Sequence, residues 1–300
     1  MLPLVVLVGM LSALVFGSAD FLGGLASKRI SPLRVTALAA VVGLFVLLVA
    51  YPIVGGVWSW SAILFGGLSG VSGALAISLL YACLAIGPMS ILSPLTAVVS
   101  AIVPAAIGIF VRGDHFGPLG YTALGLALVA VVLVGFVRDA RAAHPTPRGI
   151  FMAIGSGVFI GLFLVIIDLT PTNSGIVPLI ANRAVNAILM FSAVGLIAVV
   201  ARRRDPAGSL RLSKGATVSA GGWRPGIRLA IACGGVDAVA NCGLLLGIRI
   251  GDLSVIAVLT ALYPAGTIIL AAIVLRERIA VVQYIGLALA IGAGALLALD

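Results

Sequence analysis

Charge is what this sequence has least of. Asp, Glu, Lys and Arg together make up 9% of its 300 residues, against 62% that are hydrophobic. Soluble domains run near one quarter charged, so a water-soluble globular fold is excluded. Disorder is excluded by the same apolar excess. Cysteine occurs three times, as Cys83, Cys233 and Cys242. An odd count inside apolar runs offers no disulfide framework, and the three read as small buried residues. Histidine is confined to His115 and His144, both between apolar runs. No HExxH, CxxC, Walker A or GxSxG pattern occurs, so no motif implies a metal, a cofactor or a nucleotide. Aromatics reach only 6%. Long alternating segments are missing too, which argues against a transmembrane barrel.

What is present is a series of continuous apolar runs of roughly twenty residues, the length that crosses a bilayer as a helix. A span with its loop takes about 30 residues, so the chain has room for about ten and for no soluble domain. The runs are 3–25, 33–54, 60–82, 88–111, 117–137, 149–167, 176–200, 227–248, 252–275 and 280–298. The first has no basic residue ahead of it and reads as a span, not a cleaved leader. Residues 201–226 hold Arg202, Arg203, Arg204, Asp205, Arg211, Lys214 and Arg224 and are too polar to span. Residues 138–148, with Arg138, Asp139, Arg141, His144, Pro145 and Pro147, read as a linker between a first half (1–137) and a second (149–300).

The halves repeat one another. IGPMSILSPLTA (Ile86 to Ala97) matches IGDLSVIAVLTA (Ile250 to Ala261) at an offset of 164 residues. Gly87/Gly251, Ser90/Ser254, Leu95/Leu259 and Thr96/Thr260 fall in register, and Arg112 and Arg276 keep the offset. Trp60 and Trp223 each open the third helix of their half. An odd number of spans per repeat forces the halves to insert in opposite senses. The predicted fold is therefore an all-α integral membrane protein of about ten transmembrane helices, built as two inverted five-helix repeats. That architecture is typical of secondary transporters.

Both halves resemble the EamA-type module of the drug/metabolite transporter superfamily. In the first half the resemblance lies in FGSADFLGGLASKRISPL (Phe16 to Leu33) and GPMSILSPLTA (Gly87 to Ala97). In the second it lies in GDLSVIAVLTALYPAGT (Gly251 to Thr267) and LRERIAVVQYIGLAL (Leu275 to Leu289). The Gly-Glu-Arg often seen after the fourth helix of such modules reads Arg276-Glu277-Arg278 in the second half and Gly113-Asp114-His115 in the first. The resemblance implies a carrier of small molecules and names no substrate.

An ionisable group inside a bilayer costs several kcal/mol unless it is paired or wet, which makes each one a functional candidate. Asp237 lies mid-span, with Asn241 four residues on and so on the same helix face. Arg183 is flanked by Asn182 and Asn186. Asp237 suits an ammonium group or a coupling proton, and Arg183 a carboxylate, as in an amino-acid-like zwitterion. The alternative is a structural ion pair between two helices. Asp20 and Asp168 lie near span ends and fit either the interface or a gate. Pro94 and Pro104 in the fourth span and Pro264 in the ninth are hinge candidates, since each proline removes a helix hydrogen bond. Around them Thr96, Thr260 and Tyr263, with Ser93, Ser100 and Thr267, can bond a substrate or a neighbouring helix. Gly66 and Gly70, Gly9 to Gly17, and Gly286 to Gly294 form small-residue stripes that let helices approach within one chain, or form a dimer face.

The expected function is secondary transport of a small organic metabolite, driven by an ion gradient, by exchange or by the substrate's own gradient. The partners are that substrate, a coupling proton and the lipid bilayer, in a monomer or homodimer. An integral membrane enzyme acting on lipid head groups is the alternative; a scaffold ranks last. The net charge of +9 reads as topology, not as a nucleic-acid footprint. Alanine-, glycine- and arginine-rich composition with two lysines suggests a GC-rich bacterium and its inner membrane. Fifteen of the eighteen Lys and Arg fall in gaps on the face opposite the termini. Counting positive charge inside puts both termini outside the cytoplasm, whereas the resemblance is usually drawn with them inside. On the charge count, a C-terminal fluorescent protein that matures only in the cytoplasm stays dark; a bright signal overturns that orientation.

Overall fold

The computed structural model describes residues 2–27, 29–86, 89–135, 146–204, 226–274 and 280–299. Lys28, Gly87, linker residues 138–145, Trp223 with the rest of 205–225, and Arg276-Glu277-Arg278 lie outside these. So do the side chains of Cys83, Ser90, Ser93 and Pro94.

Proline and glycine punctuate the helices. Pro32 opens α2 (Pro32–Val54) and Pro147 opens α6 (Pro147–Asp168), where a missing N–H costs nothing. Thr146, inside the stretch expected to be linker, caps α6 by accepting the Gly149 N–H at 3.2 Å. Gly55, at φ +74°, closes α2. The remaining helices are α1 (Leu2–Ser27), α3 (Trp60–Ile86), α4 (Met89–Ile107), α5 (Pro118–Gly135), α7 (Val177–Arg204), α8 (Ile227–Ile250), α9 (Leu253–Thr260), α10 (Tyr263–Val274) and α11 (Val281–Leu299). Among the described residues no strand occurs.

Seven of these helices are long and apolar enough to cross a membrane, and three shorter apolar stretches, Pro118–Leu133, Leu253–Thr267 and Val281–Leu296, bring the count to the expected ten. Two spans depart from a plain helix. The fourth widens after α4 into a π turn, Gly108–Arg112, ended by Gly113 at φ +79°. The ninth is broken at Ala261 and Leu262 into α9 and α10. Pro264 explains the break: it has no N–H for the Thr260 carbonyl, and its ring crowds that carbonyl.

The packing obeys an exchange of the two halves. The third span on the sixth (α3 on α6) corresponds to the eighth on the first (α8 on α1). In the same way α3 on α7 corresponds to α8 on α2, and α4 on α6 to the ninth span on α1. The pairs α2–α7, α5–α11 and α4–α9 map onto themselves. That is the contact pattern of a twofold axis relating inverted halves, and it makes the most extensive helix contacts those between halves.

Small residues allow this approach. A Cβ on Gly17 of α1 would run into the Tyr263 carbonyl and come within 2.6 Å of the Thr267 nitrogen of α10. On Gly66 or Gly70 of α3 it would meet the backbone of Pro178 or Asn182 of α7 at about 2.5 Å. On Gly157 of α6 it would meet α4 at Val99. The stripes at Gly66/Gly70 and Gly9/Gly17 therefore pack within the chain. Gly17→Val is expected to cost about 2–3 kcal/mol of stability. Gly24→Val, where nothing lies within 4 Å, leaves the melting temperature in detergent unchanged. Equal melting of the two variants would refute the close-packing account.

Candidate functional site

A cavity of about 170 Å³ opens where α1, α3, α4, α6, α7, α8, α9 and α10 converge. Its wall is mostly apolar, with Phe16 of α1, Ile77 and Leu80 of α3, Ile160 and Phe163 of α6 and Leu244 of α8. The polar groups gather on α7, α8 and α1: Asn182, Arg183 and Asn186, then Asp237 and Asn241, then Asp20. Thr260, Ala261 and Tyr263 bring the break in the ninth span to the same space.

The local sequence spacing sets this arrangement. Asp237 and Asn241 share a face of α8, and the Asn241 amide donates to the Asp237 carbonyl at 2.8 Å and to its Oδ1 at 3.3 Å. The Arg183 Nη2 forms an ion pair with the Asp237 Oδ2. Gly43 of α2 borders the arginine: a Cβ there would lie 3.4 Å from its Cδ, in ordinary van der Waals contact. Asn182 turns toward the first half and donates to the Ser69 hydroxyl of α3 at 2.8 Å. Asn186 Oδ1 and Thr260 Oγ1 are buried with no partner. Pro104 and Pro264 lack the N–H groups that would otherwise bond the carbonyls of Ser100 and Thr260, and both of those residues border the cavity.

Asp237, Arg183, Asn182, Asn186, Asn241, Thr260, Tyr263 and Asp20 thus come together. Thr96 does not. It is buried, and its hydroxyl bonds the carbonyls of Leu92 at 3.0 Å and of Ala153 in α6 at 3.1 Å. It is a bond between helices, away from the cavity. Arg183 is already engaged by Asp237, so the guanidinium expected to await a carboxylate faces one from its own chain. Pro104 packs on α6, 3.0 Å from where a Cβ of Gly161 would stand.

The face that carries the N-terminus of α1 is tied shut. Arg112 pairs with Asp168. Ser254 donates to the Asp114 carboxylate through its hydroxyl at 2.5 Å and its N–H at 3.3 Å. Arg249, at the end of α8, donates to the Thr170 carbonyl at 2.6 Å and reaches the hydroxyls of Thr170 and Ser174. The 55–57 loop bonds 173–176 through Val57 N–H to Asn173 O, 3.0 Å, and Ile176 N–H to Gly55 O, 3.3 Å. Burial and the Asp114 carboxylate push the Asp252 carboxyl on this face above the ordinary aspartate range. The sequence alone offers no sign of these partners of Arg112, Asp114 and Arg249.

Fold and site together define a multi-pass helical membrane protein with a mostly apolar cavity, holding a cluster of polar groups, between two like halves. The model of the EamA-like transporter family matches residues 147–299, and the chain belongs to that family. A solved crystal structure superposes with a TM-score of 0.67 at 17% identity, covering 97% of this chain and 95% of the other; it shows that the fold extends over the first half as well. A search of curated proteins finds no match. The family's members are transporters, and a small-molecule substrate follows from that membership.

Breaking a buried ion pair from one side leaves an uncompensated charge. Arg183→Ala is expected to lower stability by about 3 kcal/mol or more, while Arg183→Met combined with Asp237→Leu costs much less. Unfolding of the purified variants measures both; a double variant as unstable as the single one would contradict the pairing argument.

Proposed function

We propose that this chain is a secondary transporter that carries a small organic metabolite, amino-acid-like or drug-like, by alternating access, with 1–137 and 149–300 as its two moving parts. One observation carries the reading: a cavity with charged and hydrogen-bonding groups lies between the halves, and polar ties cross between them on one face. Arg112–Asp168, Asp114–Ser254 and the 57–173 backbone bond each join the first half to the second. Such ties exchange for water at small net cost, so they hold that face closed only weakly. The break at Ala261 and Leu262, with Pro264 just beyond, supplies a bend beside the cavity, as expected of discontinuous transporter helices. Pro94 and Pro104 are the matching bend candidates in the fourth span.

The carrier works as a monomer or a homodimer. We place it in a bacterial inner membrane, on composition. Nothing in the fold or the family match favours the other reading, an enzyme acting on lipid head groups.

Counterflow in proteoliposomes, with labelled amino acids, amines, nucleobases and sugars, tests the proposal. Locking the sealed face tests the mechanism. A Val57→Cys/Asn173→Cys pair, with Cys83, Cys233 and Cys242 changed to Ser, is expected to abolish counterflow when oxidised and to recover on reduction. Undiminished transport by the cross-linked protein would rule out opening of this face.

A further inference from the structure

We infer that a membrane lipid inserts one acyl chain into a second cavity, a crevice of about 240 Å³ bounded by α1, by the break in the ninth span with α10, and by α11. The crevice shares no lining residue with the polar cavity. Its occupancy does not depend on what the protein transports.

Close helix contacts at two levels leave the space between them. At one level α1 meets α10 through backbone: a Cβ on Gly266 would lie 2.7 Å from the Leu14 carbonyl oxygen. At the other α1 meets α11, where a Cβ on Gly294 would lie 2.7 Å from the Met10 sulfur. The walls between include Ala13, Ala265 and Ala290, whose methyl groups are too short to close the gap. Among the described residues every side chain that lines the crevice is a hydrocarbon or a thioether. Nothing there recognises a charge or a hydrogen-bonding group.

The depth of the crevice decides what fills it. Its lining residues within 10–14, 262–265 and 287–291 fall near the middle of their spans, so it lies in the hydrocarbon core and not among the head groups. Leu14 and Ile291, 41% and 66% exposed, stand on the lipid-facing surface at its edge, while Leu262, Ala265 and Ala290 are buried. Water finds no polar partner in such a space. Left empty, it forfeits dispersion contacts on every wall. An acyl chain from the surrounding bilayer restores them, and it leaves no water behind to do so. An apolar cavity of about 150 Å³ holds a benzene ring, so this one admits a longer stretch of hydrocarbon. Leu262 gives the site its consequence. It belongs to the break in the ninth span, and its neighbours Thr260, Ala261 and Tyr263 line the polar cavity. The acyl chain therefore packs on the same break that borders the polar cavity, and a bend there alters both spaces.

Photolabelling of the full-length protein in liposomes tests this, with a phosphatidylcholine that carries a diazirine near the end of one acyl chain. Mapping of the labelled peptides is expected to find adducts on Leu262, Ala265 or Ala290, well above those on the equally buried Leu259 and Ala97. Ala290→Phe, which places a ring in the crevice, loses the adducts on Leu262 and Ala265 and keeps those on Phe45, 66% exposed on α2. Adducts confined to Leu14, Ile291 and other outward residues would overturn the inference. Adducts on Leu262 and Ala265 that persist in a folded Ala290→Phe would do so too. Protection of Leu14 and Ile291 together with Leu262, in a protein that runs as a dimer, would give the crevice to a second copy instead. The wild-type pattern decides between lipid and no lipid even if Ala290→Phe fails to fold.

Discussion

A charge in hydrocarbon must be paired, wet or neutralised, and most of this molecule follows from that constraint. It explains why so few ionisable residues lie within the spans, and why Arg183 of α7 and Asp237 of α8 pair across two helices that each pack on α2. It also explains why Asn241 is spent on holding Asp237. The pair gives no strong reason to expect added stability, because desolvating two ions offsets much of their attraction. It fixes α7 relative to α8 and sets a polar wall that the opposing apolar helices cannot complete. The cavity is the space left between that wall, α6 and the first half.

The halves meet through backbone contact rather than through large side chains. In a membrane no hydrophobic force drives helices together, so association depends on close approach. Gly17 on α10, Gly66 and Gly70 on α7, Gly157 and Gly161 on α4, and Gly234 on α2 provide it. These contacts are smooth and shared by exchange between the halves. Two like halves joined in this way can trade conformations, which is the geometric requirement for exposing one site to each side in turn.

Much of this was legible in the sequence for simple reasons. Run length gives the spans, because hydrocarbon thickness sets them. Four-residue spacing brought Asn182 with Asn186 and Asp237 with Asn241. Pro264 announced the break in the ninth span. What stayed hidden has equally physical causes. The repeat sets Thr96 and Thr260 in register, yet only Thr260 reaches the cavity, because Thr96 finds a carbonyl on α6. The apolar wall from α3 and α6 was invisible: a residue facing an apolar cavity and one facing lipid have the same composition, and uniformly apolar helices carry no face signal. Arg249 meets Thr170 across 79 residues of sequence, a contact that topology alone brings about.

The departure from symmetry is where function concentrates. Exchange of the halves would give the cavity matched walls, yet Arg183, Asp237, Asn186 and the broken span all belong to the second half, and Asp20 alone supplies charge from the first. The fourth span accommodates Pro104 within α4 and relaxes only later, in the π turn at Gly108–Arg112, while the ninth breaks beside the cavity. The second half therefore carries most of the polar surface, the first contributes a single carboxylate, and both supply the apolar wall. In a carrier of the kind proposed, motion between the halves would change the distance from Asp20 to the Arg183–Asp237 pair, so the asymmetry of the site would make its electrostatics depend on conformation.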